Sequence, residues 1–158
     1  TSSGRCLRSY SVLFSKKYSM KNDFLNRIDQ LTEGHKPKYG KMTVQQMVCH
    51  CTDLYRLVLR EMTLREKPNI SAAEAIKLAQ SRKTVPAPTE MDQVAGNGTK
   101  ASDFETDIFL LKSKLQAIYA LEKDYDYPPH FYFGKLNKKE WVQMTEYHLS
   151  HHLKQFGV

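Results

Sequence analysis

Three of the chain's six histidines fall within His148-Leu149-Ser150-His151-His152, and His148 and His152 stand four residues apart. On a helix that spacing puts two imidazoles on one face, with Cβ atoms about 5–6 Å apart, so that both rings can reach one divalent ion at roughly 2.0–2.1 Å. His50 is the best third donor, being the only other histidine inside a segment of helical periodicity. Three imidazoles that leave coordination positions open are the pattern of catalytic rather than closed structural metal centres. Such a centre can lower the pKa of a bound water from about 15.7 to about 7, or hold a thiol as its thiolate, so the chemistry in view is metal-assisted hydrolysis or thiol transfer. The ligands alone do not choose between them. A short HxxxH spacing also arises by chance, and a lone His50 is more often a hydrogen-bonded histidine at the edge of a core than a ligand.

His151, three residues after His148, is a geometrically permitted alternative partner. His152 is preferred because Trp141, Met144 and Gln155 share its face at 100° per residue, whereas His151 turns toward Tyr147. Two further residues are catalytic candidates. Asp53, one turn after His50, is placed to orient an imidazole or accept a proton, or else is a solvated helix charge. Gln155, three residues after His152, is placed to donate to substrate or support a ligand, or else to cap the helix end. Tyr55, Trp141, Met144, Tyr127, Phe131, Tyr132 and Phe133 could wall a pocket, but residues of these types at such spacing more often fill a core. No nucleophile elbow, glycine-rich phosphate loop or HExxH occurs, which removes serine hydrolase, nucleotide-binding and zincin readings.

These residues need helices to hold them, and the sequence marks where helices start. Thr43…Gln46, Ser71…Glu74 and Ser102…Glu105 are capping boxes, with Asn137…Glu140 a close variant. Apolar residues recurring at three and four predict helices over 21–32, 44–62, 103–123 and 138–155, with a shorter one over 72–82. Gly34 ends the first. Residues 83–101 lack periodicity and contain Pro86, Pro88, Gly96 and Gly98, as a long crossover or lid would. Tyr125 to Gly134 form an aromatic, proline-bearing loop. With no strand-like alternation and no repeat, four main helices and one long connection predict an all-α four-helix bundle, a fold whose sites form between facing helices.

At 158 residues and 41% hydrophobic content the chain suits one domain with one core, and it has no apolar run of membrane-spanning length. The formal charge is +7. Arg5, Arg8, Lys16 and Lys17, with no acid among residues 1–19, supply four of those charges and leave only +3 for 20–158. Nucleic acid and membrane are therefore not expected partners. Residues 1–19 read as a basic, serine-rich N-terminal extension outside the functional domain, which is placed at 20–158. Three cysteines, Cys6, Cys49 and Cys51, make no disulfide framework and point to a reducing, cytoplasmic setting. Cys49 and Cys51 flank His50, but positions two apart on a helix diverge by about 200°, so they read as small buried residues and not as a Cys-His-Cys clamp.

The segment Gly40-Lys41-Met42-Thr43-Val44-Gln45-Gln46-Met47-Val48-Cys49-His50-Cys51-Thr52-Asp53 resembles the second-helix signature of the DinB-like superfamily. Phe133-Gly134-Lys135-Leu136-Asn137-Lys138-Lys139-Glu140-Trp141, followed by His148 to Gly157, resembles its closing helix. The likeness is nearest to a branch of unknown function and covers about residues 21–158. It implies a four-helix bundle with a divalent metal, often nickel or zinc, held by one histidine of the second helix and two of the last; the matching positions are His50, His148 and His152. Characterised members include thiol-dependent transferases and a thiol-dependent isomerase, and many others are labelled metal-dependent hydrolases. The expected function is accordingly thiol transfer to an electrophile, or hydrolysis of a small substrate, with a low-molecular-weight thiol as a further partner and a homodimer as the assembly. The alternative is a metal-binding or stress-response helical module without turnover.

Overall fold

A computed structural model describes residues 21–158; the 1–19 extension, Cys6 and Met20 lie outside the described residues. Among those described there are five α-helices and no strand. They are α1 (Lys21–Asp29), α2 (Val44–Val58), α3 (Ala72–Gln80), α4 (Phe104–Ala120) and α5 (Lys138–Gln155), with a 3₁₀ turn at Thr89–Met91 in the long connection. None is long and apolar enough to cross a membrane.

The start signals act through the atoms that the sequence names. Thr43, Ser71 and Asn137 each accept the N3 backbone N–H, while Gln46, Glu74 and Glu140 return a bond to the cap residue's own N–H. The fourth start differs by one residue. Asp103, not Ser102, caps α4 by accepting from Thr106 N at 3.0 Å, because Ser102 is drawn away: its N–H and hydroxyl both donate to the Asp107 carboxylate at 2.9 Å. The long helices also stop early. α2 ends at Val58 rather than near 62, where Arg60 takes a positive φ of 59° and its N–H and that of Glu61 close back on Leu57 O and Arg56 O, a left-handed cap made without glycine. α1 and α4 end at Asp29 and Ala120, although Leu31 beyond α1 is still buried.

α2 packs against both α4 and α5, and α1 bridges the same two helices. Between them lies one core containing Phe24, Ile28, Met47, Leu111, Leu115, Trp141, Leu149 and Leu153. Trp141 is fully enclosed and donates its indole N–H to Pro128 O at 3.0 Å, anchoring the aromatic loop to α5. That loop closes as a tight turn, with His130 and Gly134 exchanging backbone hydrogen bonds of 2.7 and 2.9 Å. Gly134 adopts a φ of +68°, which glycine reaches without a Cβ penalty.

The long connection is pinned by two buried carboxylates. Asp53 of α2, 1% exposed, receives Thr99 N at 2.9 Å, Thr99 Oγ1 at 2.6 Å, Gln93 Nε2 at 2.6 Å and Arg56 Nη1 at 3.4 Å. Asp107 of α4 takes both Ser102 groups and Gln45 Nε2 at 3.0 Å. A segment with no periodicity of its own is thus fixed in place by charge-assisted bonds to the helices it crosses.

Candidate metal centre

His50 of α2 and His148 and His152 of α5 converge, each offering a ring nitrogen, and the three nitrogens lie within 4.8 Å of one another. His50 Nε2 and His148 Nε2 are 2.9 Å apart. Two imidazole nitrogens on one ion at roughly 2.0–2.1 Å stand about 2.9–3.4 Å apart for angles from 90° to tetrahedral, so this pair already has a ligand-like separation. The ring centroids are 4.8, 4.8 and 4.6 Å apart around the triangle. Burial drives all three pKa values down from the ordinary histidine value, those of His148 and His152 well below it. The rings are held neutral, which is the protonation state a metal ligand requires.

The nitrogens that face one another are set by what the opposite nitrogens do. His50 Nδ1 lies 2.7 Å from Met91 O and 3.2 Å from Gln93 Oε1. A carbonyl only accepts, so His50 carries its proton on Nδ1 and its Nε2 lone pair is bare. Gln93 cannot turn its amide over, because its Nε2 donates to Asp53. His152 repeats the arrangement: Nδ1 is 2.8 Å from Gln155 Oε1, and Gln155 Nε2 donates to Tyr39 O at 2.8 Å. The amide orientation follows from the carbonyl it meets, and it makes His152 Nδ1 the donor. With His50 Nε2 bare, the short contact to His148 closes as an N–H···N bond from His148; for His148 to serve as a ligand through Nε2, its ring proton would have to move to Nδ1.

Glycines let both glutamines sit where they do. A Cβ on Gly98 would lie 2.5 Å from Gln93 Nε2, and one on Gly40, whose φ is +87°, would lie 2.6 Å from Gln155 Nε2. Each ligand-orienting amide is therefore pressed against a glycine from a loop.

The other residues singled out by sequence fall into place unevenly. Asp53 is not a solvated charge and makes no hydrogen bond to an imidazole; it reaches His50 through the Gln93 amide and through its nearby charge, and its oxygens are occupied by the connection. Gln155 uses its amide oxygen on His152 Nδ1 and one amide N–H on Tyr39 O, and it lines the cavity with its second amide N–H left over. His151 stays outside the triangle, stacked on Tyr147 at 6.4 Å between centroids. Cys49 and Cys51 are buried, and burial first, then nearby acids, pushes the Cys49 thiol up to about 12 and Cys51 higher still. Neither is a nucleophile at neutral pH. Sequence reasoning missed Gln93, which sits in the aperiodic connection, and His130, which sits in the loop.

The triangle opens onto a cavity of about 770 Å³, within the range of small-molecule sites. α3 gives it Ile76, the connection Val85 and Ala87, the aromatic loop Phe131, and α5 Met144. Of the aromatic candidates, Phe131, Tyr132 and Phe133 line this space, while Tyr55 and Trp141 belong to the core.

Compared with known proteins, the chain matches the family model described as protein of unknown function (DUF1569) over residues 13–157. The match begins inside the 1–19 segment that the sequence reading sets apart. No curated protein and no solved structure matches.

Proposed function

Because the chain belongs to the DUF1569 family, whose description names no activity, its chemistry has to be read from its site, and we propose that it is a metal-dependent enzyme of the DinB-like type. In this reading α1, α2, α4 and α5 are the superfamily's four-helix bundle. The substrate is a small molecule, and the reaction is transfer of a low-molecular-weight thiol to an electrophile or hydrolysis. The single observation that carries the proposal is the tautomer arrangement. His50 and His152 are both held as Nδ1–H rings by amides that cannot reorient, so that bare nitrogens point at a common centre beside His148.

The donor set fits a divalent ion of borderline softness such as nickel or zinc. His50, His148 and His152 would hold it, Gln93 and Gln155 would fix the rings, and the adjoining cavity would receive the substrate. When bound, the ion supplies Lewis acidity that makes a water or thiol nucleophilic at neutral pH. The chain's own contribution is to keep three neutral donors oriented beside a largely apolar cavity. Asp53 acts at one remove, through the Gln93 amide.

The test is elemental analysis of protein purified without an affinity tag, followed by thermal denaturation with added nickel or zinc. One ion per chain and a raised melting temperature are expected. Absence of both would end the proposal. Metal retained without turnover across thiol-transfer and ester panels would favour the binding-module alternative.

A further inference from the structure

His130 is the one cavity histidine outside the metal triangle and its neighbour His151. It is 4% exposed. Its Nδ1 accepts two backbone N–H groups of the turn it begins, Tyr132 N at 3.0 Å and Phe133 N at 3.3 Å. An acceptor at Nδ1 places the ring proton on Nε2. The ring is clamped in that orientation, stacked on Phe131 and Phe133 with centroids 4.2 and 4.6 Å away and set against Trp141 at 5.3 Å. Its Nε2–H has no hydrogen-bond acceptor among the described residues, yet Nε2 is not among their fully enclosed, unpartnered atoms. A donor left open at a cavity wall takes its partner from whatever the cavity holds.

The rest of the cavity narrows what that partner is. Away from the histidines the walls are chiefly apolar, with Ile76, Ala79, Val85, Ala87 and Met144 among the side chains that supply them. A ligand held there needs an apolar body for the walls and an oxygen at the histidine end. Lys41 and Lys83 also line the space, but a sugar would bury most of its hydroxyls against carbon.

We propose that the cavity binds an amphiphile with an alkyl or aryl body and one carbonyl or carboxylate oxygen, and that His130 Nε2–H donates to that oxygen and positions it at the imidazole triangle. The proposal deepens the metal-dependent reading and rests on it for what the same oxygen meets next. His130 acts only as a donor: burial pushes its pKa down to about 3, and its single lone pair is engaged by the turn.

Octanoate and acetate, titrated calorimetrically into metal-free and zinc-loaded protein at neutral pH, test it. Octanoate should bind at least about tenfold more tightly than acetate, since each buried methylene adds affinity. The variant His130→Asn keeps an acceptor for Tyr132 N and Phe133 N but removes the donor from the Nε2 position, and should lose about tenfold in octanoate affinity. His130→Gln, whose amide nitrogen reaches that position, should recover part of the loss. Octanoate binding no tighter than acetate, or unchanged by His130→Asn in a protein of unchanged melting temperature, would overturn the proposal. Zinc content, measured on the same samples, separates the two claims. Octanoate bound in a His130-dependent way by protein that takes no zinc supports the cavity ligand and removes the metal centre. Zinc bound while octanoate is ignored does the reverse.

Discussion

Asp53 and His50 sit one helical turn apart on α2, both buried, and their surroundings differ in one respect. The Asp53 carboxylate is saturated by Gln93, Thr99 and Arg56. His50 is saturated on one side only, its Nδ1 shared between Met91 O and Gln93 while Nε2 faces His148. The first is a structural fastening, with a charge whose every neighbour is a donor from the chain. The second is fastened by the chain on one side and on the other meets only the ring nitrogen of His148. Burial of a polar group therefore does not mark function by itself; what sets His50 apart is that its second nitrogen faces other ring nitrogens and not a donor of the surrounding loops.

If that contrast is right, removing a triangle histidine should abolish binding with little structural cost. The variant His148→Ala is expected to fall from about one zinc per chain to about none, while the urea midpoint of the metal-free protein stays nearly unchanged. The opposite pattern is expected for Asp53→Ala. It strands Gln93, Thr99 and Arg56 around a missing charge, so unfolding in urea should show a loss of about 3 kcal/mol. A variant that is stable but metal-free would put Asp53 on the wrong side of the comparison.

The glutamines sharpen the boundary, because each touches both regimes. Gln93→Leu and Gln155→Leu free His50 or His152 to change tautomer, and zinc affinity by competition with a chelator should fall about 10–100-fold. Gly98→Ala and Gly40→Ala, which push on the same amides, should move it in the same direction by less.

The remaining prediction concerns acid. His130 has a folded pKa of about 3 against an ordinary 6.5, and His50, His148 and His152 are lowered too. The folded state then binds fewer protons than the unfolded one between about pH 3 and 6.5, so stability is full above 6.5 and is lost as pH falls through that window. Urea midpoints of the metal-free protein should decline accordingly. The variant His130→Asn should decline less steeply, by at most about 1.4 kcal/mol per pH unit.

Sequence carried the helices and the triangle because both rest on short-range geometry. Capping boxes at Thr43, Ser71 and Asn137 specify a helix start within four residues, and the i,i+4 pair His148 and His152 needs only the helix to exist. The cap at Asp103 was misplaced by one residue because Ser102 serves Asp107, a competition visible only in three dimensions. The end of α2 was illegible for a related reason: Arg60 occupies a left-handed position that sequence assigns to glycine or asparagine. His130 and Gln93 escaped because their roles are fixed by a turn and by a connection without period. Asp53 was singled out for proximity to His50, and its link to that ring runs through a residue 40 positions away.

The cavity's walls come largely from α3, the connection and the aromatic turn, whereas the converging nitrogens come from α2 and α5. Shape and reactivity are thus written in different stretches of chain. Substitutions at Ile76, Val85 or Phe131 can retailor what fits inside while the three rings keep their attitude. Gln93 and Gln155 are the exceptions, wall residues that also steady His50 and His152, and they are where a change of appetite would disturb the machinery.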